Sequence, residues 1–341
     1  MGGPTFPRFL ENLRDRHQFA LKDEAARAAL AEILAPEPDL VPSHRVVVET
    51  RGEGLVFQRL AIDFPVTGEA EAFFLRPAGA GPFPAVLLLH DHGSRFDVGK
   101  EKVIFPADRP EDAPRDWFDR FYGGRAIGDW LARQGYAVLA IDALGWGGRS
   151  VGEYENQQAL AANIMQFGLS WAGIIAAEDN WSANLLAGLP TVDSERIGAM
   201  GLSMGALRCW QLAAVSPRIE IFASICWMTR MQALMVDGNN QLRGQSAYAM
   251  LHPQLAGRID YPEIAALAAP KPAVFISGRE DRLFPPAGIE AAFETLGAAW
   301  NRAGASKAIT TLLRPGGHAF TLEDQALVIK KFDAALKPRT C

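Results

Sequence analysis

The chain has few cysteines and no excess of basic residues, and both features exclude classes of function. Its 341 residues include three cysteines, Cys209, Cys226 and Cys341. The odd number and the lack of metal-ligand spacing argue against a disulfide scaffold and a zinc module. We interpret Cys209 and Cys226 as small core residues in a reducing compartment. A net charge of −5 and the lack of a basic stripe argue against nucleic-acid binding.

Long apolar runs and a secretion signal are lacking as well. The longest apolar stretch, residues 167–177, is too short to span a bilayer and ends at Glu178 and Asp179. Charged residues interrupt the N-terminal segment in which a signal peptide would carry its apolar region: Arg8, Glu11, Arg14, Asp15 and Arg16. We therefore predict a cytoplasmic protein with no membrane partner.

Short apolar runs alternating with helical segments dominate the rest of the chain. Residues 1–42 predict a helical extension, residues 46–50 a first strand, and residues 55–64 and 71–76 an antiparallel hairpin. Six further runs predict buried strands: 85–89, 136–141, 197–200, 221–227, 273–276 and 309–313. This order predicts an α/β fold with a mostly parallel sheet covered by helices on both faces. We predict one catalytic domain over residues 43–341, with insertions at about 95–128 and 228–267.

A serine flanked by glycines gives the most specific functional signal. Residues 201–205 are Gly-Leu-Ser-Met-Gly, which fits the G-x-S-x-G nucleophile elbow, a sharp turn between a strand and a helix. The strand pattern at 197–200 precedes it, and a helical pattern at 204–215 follows and is stopped by Pro217. Glycines are needed because side chains at those positions would collide in so tight a turn. We therefore predict that Ser203 is a nucleophile.

Acid and histidine candidates follow in the order that this type of site requires, Ser, then Asp or Glu, then His. Glu280 and Asp281 stand just past the predicted strand at 273–276. His318 lies between the last predicted strand and a terminal helix predicted over about 322–336. Catalytic groups of open α/β sheets gather at such strand ends. His318 would take the serine proton and return it to the leaving group, while the acid fixes the imidazole tautomer.

A tetrahedral oxyanion needs preorganised N–H donors. The backbone N–H of Met204, at the start of the helix after the elbow, is one expected donor. The other is expected from the loop after the strand at 85–89, around Asp91 and His92. The oxyanion would therefore be bound between the elbow and this loop.

Five segments resemble the α/β-hydrolase superfamily, and within it the dienelactone-hydrolase and acetyl-xylan-esterase type. They are PAVLLLHDHGS (84–94), AIDALGWGGRS (140–150), VDSERIGAMGLSMGALRCWQLAAVSPRI (192–219), SGREDRLFP (277–285) and PGGHAF (315–320). The resemblance implies an α/β-hydrolase fold and a serine hydrolase that needs no cofactor. It favours Asp281 over Glu280 as the acid. His90-Asp91 replaces the usual His-Gly, and we assign the second oxyanion donor to His92.

The resemblance points to an ester as the small-molecule substrate. Dienelactone hydrolases proper use cysteine as nucleophile, so Ser203 argues against their substrate. We expect a small or medium carboxylic ester, with acetylated carbohydrate as one option. Trp146 and Trp227, each just past a predicted strand, could stack on a sugar or aryl ring. Aromatic and methionine side chains of the insertions could line an apolar cleft, although core packing explains them equally well: Phe96, Phe105, Trp117, Phe118, Phe121, Tyr122, Met228, Met231, Met235, Tyr248 and Met250.

Two other classes of protein compete with the serine esterase. His90 and His92 form an H-x-H at a strand end, which can bind zinc in a metal-dependent hydrolase with His252, His318 or Asp281 as further ligands. That interpretation leaves the elbow unexplained. A binding protein that kept the fold and lost catalysis is the second alternative, and the intact serine, acid and histidine set argues against it.

Overall fold

The computed structural model describes residues 8–236 and 248–337. The helices are α1 (Arg8–Arg16), α2 (Asp23–Leu34), α3 (Arg115–Phe121), α4 (Ile127–Arg133), α5 (Tyr154–Gln166), α6 (Trp171–Gly188), α7 (Met204–Val215), α8 (Met231–Leu234), α9 (Tyr261–Ala266), α10 (Pro286–Arg302) and α11 (Leu322–Leu336). The strands are β1 (Ser43–Gly52), β2 (Leu55–Phe64), β3 (Gly68–Pro77), β4 (Phe83–Leu89), β5 (Ala137–Ile141), β6 (Val192–Leu202), β7 (Ile221–Ile225), β8 (Ala273–Gly278) and β9 (Ile309–Arg314).

The nine strands form one sheet in the order β1-β2-β3-β5-β4-β6-β7-β8-β9. Strands β1, β2 and β3 pair antiparallel, and β3 pairs antiparallel with β5. From β5 to β9 every pair is parallel. The mostly parallel sheet and the N-terminal antiparallel strands confirm the predicted α/β-hydrolase architecture.

Two buried apolar clusters lie on the two faces of the sheet. One contains Trp146, Trp171 and Trp210 beside helices α6 and α7. The other contains Trp117 and Tyr136 beside helices α3, α4 and α11. Both faces are therefore covered, because a parallel sheet with apolar side chains on both faces must bury each of them.

The N-terminal helices pack on the same core. The apolar side of α2 buries Ala26, Leu30 and Leu34 in the cluster that contains Trp181. The indole N–H of Trp181 donates to the carbonyl oxygens of Pro36 and Glu37, at 3.2 and 3.0 Å, just after the helix. Helix α2 is thus integral to the core, and the predicted division at residue 42 stays a prediction.

The structure shows where two of the three cysteines lie. Cys209 and Cys226 are free and buried, whereas Cys341 lies outside the described residues.

No single helix in the described ranges is long and apolar enough to cross a membrane. Helices α5 and α6 satisfy those criteria only as a pair, and the chain bends by 83° between them.

The carboxyl ends of four parallel strands position the predicted site residues. The loop at Asp91 and His92 follows β4, Ser203 follows β6, Asp281 follows β8 and His318 follows β9. Because parallel strands end at the same edge of the sheet, four segments far apart in sequence meet there.

Candidate active site

Ser203 stands in a strained turn between β6 and α7. Its φ of 57° and ψ of −123° are rare for a residue with a side chain. The flanking glycines are required by close approach: a Cβ on Gly201 would lie 2.4 Å from the backbone of Gly205. A Cβ on Gly205 would lie 2.0 Å from the carbonyl oxygen of Leu89. The turn therefore has the geometry of a nucleophile elbow, with the serine as the helix N-cap.

Helix α7 directs its N-terminus at Ser203. The N–H of Met204 is the first of the helix, and first-turn N–H groups have no acceptor within their own helix. The partial positive charge of a helix N-terminus stabilises negative charge beside it. The backbone of Met204 thus lies at the positive end of α7 beside Ser203, and its role as oxyanion donor stays a prediction.

His318 and Asp281 form a short, direct polar contact. Nδ1 of His318 lies 2.6 Å from Oδ2 of Asp281, and the second carboxylate oxygen accepts the N–H of Leu283 at 2.9 Å. The neighbouring Glu280 turns away and accepts the N–H of Gly316. The choice left open by the residues alone therefore falls on Asp281, whose side chain is buried and fixed in orientation.

The loop that carries His318 is held by contacts on both sides. Arg314 pairs with Asp324 at 2.7 Å and donates to the carbonyl oxygen of Ala319 at 2.7 Å. The ring of Phe284 stacks on that of His318, with centroids 6.4 Å apart and planes 19° apart. These contacts fix the imidazole instead of leaving it on a mobile loop.

Cys226 lies directly behind this pair. Potential ligand atoms of Cys226, Asp281 and His318 all lie within 4.8 Å of one another, so this group is able to hold a metal ion by geometry. Burial, together with the charge of Asp281, raises the pKa of the Cys226 thiol to about 12. The thiol donates to the carbonyl oxygen of Ala319 at 3.6 Å. The thiol is thus engaged by this carbonyl and Nδ1 of His318 by Asp281, so hydrogen bonds account for the arrangement.

His90 supports the loop after β4 through both of its ring nitrogens. The N–H of Ala143 donates to Nε2 of His90 at 3.0 Å, and Nδ1 lies 2.9 Å from the carbonyl oxygen of Asp91. Burial lowers the pKa of His90 well below its usual value and keeps the ring neutral. His90 therefore offers no free ligand atom for the metal alternative.

His92 is engaged through one ring nitrogen and His252 through both. Nδ1 of His92 accepts the N–H of Ser94 at 2.9 Å, and burial lowers the pKa of this ring to about 3. His252 contacts Gln211 at 2.7 Å and Ser170 at 3.4 Å, and burial lowers its pKa to about 4. Of these three histidines only His92 keeps a ring nitrogen, Nε2, without a hydrogen-bond partner in the described part of the chain. A single free nitrogen does not make a metal site, so the geometry gives the metal-dependent alternative no support.

Asp91 ties the loop after β4 to the first insertion. One of its carboxylate oxygens accepts the indole N–H of Trp117 at 3.1 Å and the hydroxyl of Tyr122 at 3.0 Å. All three side chains are buried. The insertion therefore fixes the segment from which the second oxyanion donor is predicted.

A cavity of about 270 Å³ joins these parts. Its lining comprises Asp91, His92, Gly93, Ser94, Arg120, Phe121, Leu202, Ser203, Trp227, Met250, Leu283, Phe284 and His318. The predicted nucleophile, base and oxyanion loop thus line one cavity.

Trp146 requires a correction. Its side chain is fully buried, stacks on Trp171 with centroids 5.5 Å apart, and does not line the cavity. Its indole N–H donates to the carbonyl oxygen of His92 at 3.2 Å. The predicted substrate contact of Trp146 is wrong in this structure, because the ring lies behind the loop that it supports. Trp227, by contrast, does line the cavity.

The insertions contribute fewer cavity residues than their composition suggested. From residues 95–128 only Arg120 and Phe121 line the cavity, and from residues 228–267 only Met250, within the described ranges. Burial elsewhere accounts for most of the other aromatic and methionine side chains. Phe284 was not predicted from the sequence, although its position three residues after Asp281 is a usable signal.

Comparisons with known proteins agree with this fold. A family model described as "Abhydrolase family" matches residues 8–302. "Putative hydrolase YtaP" of Bacillus subtilis (strain 168) is 30% identical over 298 residues, which cover 86% of this chain and 92% of that protein. A "putative acetyl xylan esterase" from Bacteroides fragilis superposes with a TM-score of 0.69 at 16% identity, covering 91% of this chain and 83% of that one.

A glucuronoyl esterase from Solibacter usitatus superposes with a TM-score of 0.65 at 15% identity, covering 92% of each chain. At such identities the solved structures establish the fold, whereas the family match and the B. subtilis relative establish membership. The chain belongs to the abhydrolase family and has the α/β-hydrolase fold.

Proposed function

We propose that the protein is a carboxylic ester hydrolase that works through an acyl-enzyme on Ser203, with His318 as general base and acid and Asp281 as its orienting partner. The observation that carries the proposal is the 2.6 Å contact between His318 and Asp281 beside a cavity that Ser203 also lines. A serine, an imidazole and a buried carboxylate in this arrangement are the parts of a catalytic triad.

Proton transfer assigns each residue its role. A serine hydroxyl is not ionised at neutral pH and needs a base to attack an acyl carbon. Nδ1 of His318 is engaged by Asp281, which leaves Nε2 to take the proton and later to deliver it to the leaving alcohol. The carboxylate stabilises the imidazolium that forms between the two steps.

Two backbone N–H groups, from two different segments, would stabilise the negative charge on the tetrahedral oxygen. The N–H of Met204 lies at the N-terminus of α7, and the N–H of His92 lies on the loop after β4. His92 and Ser203 line the same cavity. Each donor of this kind contributes about 3–4 kcal/mol to transition-state stabilisation in comparable enzymes.

The substrate class follows from the size and lining of the cavity. A volume of about 270 Å³ suits a small or medium ester group. Phe121, Trp227 and Phe284 supply aromatic surface, on which a sugar or aryl ring can stack. The solved structures above include proteins described as an acetyl xylan esterase and a glucuronoyl esterase, so an acetylated carbohydrate is our preferred natural substrate.

Hydrolysis of p-nitrophenyl acetate by the wild type and by Ser203→Ala, each with and without EDTA, tests the proposal. We expect activity that EDTA leaves unchanged and that falls by more than about 10³-fold in the variant. Stoichiometric labelling of Ser203 by an organophosphonate, located by peptide mass spectrometry, would identify the nucleophile independently.

The other outcomes separate the competing classes. Activity that survives Ser203→Ala but disappears with EDTA would support the metal-dependent hydrolase. Absence of turnover and of labelling in the wild type, over a panel of acyl and alcohol groups, would support the non-catalytic binding protein.

A further inference from the structure

Two buried lysines at the start of the first insertion have different partners. The ammonium of Lys100 contacts carboxylate oxygens of Glu101, Asp142 and Glu71 at 2.7, 2.8 and 2.9 Å. The ammonium of Lys102 instead donates to two backbone carbonyl oxygens, that of Asp91 at 3.0 Å and that of His92 at 2.9 Å. In the described part of the chain, one carboxylate oxygen lies within 4 Å of it, Oδ1 of Asp91 at 3.9 Å.

Peptide geometry gives the contacts of Lys102 a consequence at the catalytic cavity. In a planar trans peptide the C=O of one residue and the N–H of the next point in opposite directions. With the carbonyls of Asp91 and His92 turned toward Lys102, the N–H groups of His92 and Gly93 point away from it. Both residues line the cavity with Ser203. Neither N–H has a hydrogen-bond acceptor within residues 8–236 and 248–337.

The position of Gly93 is fixed as well. Its φ of 57° lies in the left-handed region, and a Cβ there would lie 2.2 Å from the ring of Trp117. Glycine alone tolerates that approach. The peptide between His92 and Gly93 is therefore held by Lys102 at its carbonyl oxygen and by the ring of Trp117 at Gly93.

The two carbonyl oxygens do not need Lys102 as a hydrogen-bond donor, because each has another one. The carbonyl oxygen of Asp91 also contacts Nδ1 of His90 at 2.9 Å, and that of His92 also accepts the indole N–H of Trp146 at 3.2 Å. The nearest carboxylate oxygen, Oδ1 of Asp91, lies 3.9 Å from the ammonium, beyond hydrogen-bond distance. Burying an ammonium with so distant a counter-ion is unfavourable, and burial lowers the pKa of Lys102 to about 8 although Asp91 opposes the shift. The burial of Lys102 is unfavourable, and the carbonyls that it contacts have other donors. We take this as a sign that the lysine has a functional role.

We propose that Lys102 is a positioning residue of the oxyanion site, which aligns and polarises two peptide groups so that the N–H groups of His92 and Gly93 stabilise the tetrahedral intermediate. A cation on the carbonyl side of a peptide makes its N–H a stronger donor, because hydrogen bonds in series polarise one another. This inference rests on the proposed esterase function and adds Gly93 as a donor and Lys102 as its support.

The experiment compares Lys102→Met with Lys271→Met. Lys271 offers matched chemistry away from the cavity: its ammonium also donates to two backbone carbonyls, those of Ala213 and Ser216, at 3.0 and 2.6 Å. Burial lowers its pKa to about 8 as well. The ammonium of Lys271 lies against the C-terminal end of α7, where the last carbonyl groups have no partner within the helix.

With p-nitrophenyl acetate we expect Lys102→Met to lower kcat about tenfold, less than the loss of a whole oxyanion donor, with KM within about twofold. Inhibition by a trifluoromethyl ketone, which forms a tetrahedral adduct with serine, should weaken by about the same factor as kcat/KM. Lys271→Met should leave kcat and inhibitor affinity unchanged. Lys102→Gln, which keeps an uncharged donor, serves as the second variant if Lys102→Met fails to fold.

The outcomes separate this inference from the function on which it rests. Unchanged kcat in Lys102→Met or in the folded Lys102→Gln, or a loss of kcat without weaker ketone inhibition, would overturn the role of Lys102 while Ser203-dependent hydrolysis stands. An equal loss in Lys271→Met would do the same, since it would trace the effect to stability. Wild-type turnover that does not depend on Ser203 would overturn the proposed function and the role of Lys102 together.

Discussion

The two sides of Ser203 are built in different ways. On the acid–base side, Asp281 and His318 come from loops that follow adjacent strands, and they contact each other directly at 2.6 Å. On the oxyanion side, the loop after β4 is held by buried polar groups from the first insertion and from the turn after β5, including Lys102, Trp117 and Trp146. On one side the functional groups contact each other directly, and on the other they are held by a network of buried polar groups behind them.

This difference predicts where single substitutions act. On the acid–base side, changes should reduce the rate steeply and leave the fold intact. On the oxyanion side, many of the polar groups are buried, so changes should act on stability as well as on rate. Three experiments challenge this division, in order of decreasing expected effect.

The largest effect is expected from Asp281→Asn. The amide removes the negative charge and can hold the imidazole in the wrong tautomer, and the corresponding change in a serine protease lowers kcat by about 10⁴-fold. Glu280→Gln is the matched control, because that side chain accepts the N–H of Gly316 and does not contact His318. Steady-state kinetics on p-nitrophenyl acetate would measure both, and an equal loss in the two variants would contradict the assignment of Asp281.

The sequence predicted the acid–base side because its signals are local. The elbow motif pointed to Ser203 as the candidate nucleophile, and helices α7 and α11 begin and end at the residues that their patterns indicated. The choice between Glu280 and Asp281 was not local. It needed the family resemblance, because both residues share the same strand end and only the fold shows which of them faces His318.

The oxyanion side was harder to predict because burial there is a property of the fold. Trp146 follows a strand end as a substrate-binding residue would, yet it packs behind the loop. The segment containing Lys100 and Lys102 would normally be interpreted as a solvated surface turn, but both side chains are buried. No pattern in the sequence distinguishes a lysine that pairs with carboxylates from one that binds carbonyls.

A stability effect of intermediate size is expected at Asp129, just after the first insertion. Its carboxylate is partly buried and accepts the N–H of Phe105 at 2.8 Å, and this desolvation raises its pKa from 3.8 to about 6. Arg133 partly offsets this shift and Glu53 adds to it. Below pH 3.8 the acid is protonated in the folded and the unfolded chain. Between pH 3.8 and 6 only the unfolded chain ionises, so the free energy of unfolding falls as pH rises and then levels off.

Asp129→Asn removes that ionisation and should raise the free energy of unfolding by about 1–2 kcal/mol at pH 7. At pH 3.5 the variant and the wild type should be equally stable. Urea denaturation at the two pH values measures the difference, and kcat should not change. A gain of the same size at both pH values would show that packing, not the partly buried charge, is responsible.

The smallest effect is expected at Trp227, which lines the cavity with 2% of its surface exposed. Its indole N–H contacts the sulfur of Met250 at 3.2 Å, and its ring meets that of Phe284 with centroids 5.4 Å apart. If Trp227 binds substrate as we predict, a ring in this wall would contact it equally before and during the reaction and would contribute uniform binding. Trp227→Phe should therefore raise KM for an aryl ester about threefold, with kcat within about twofold.

Trp146→Phe is the natural counterpart to that change. It removes the indole N–H that holds the carbonyl of His92 but leaves the cavity wall intact, so KM should not change and any loss should fall on kcat. If both tryptophans altered KM alike, the distinction between a wall that binds substrate and a network that holds the oxyanion loop would fail. If the two effects separate, KM reports the cavity wall and kcat reports the network that holds the loop.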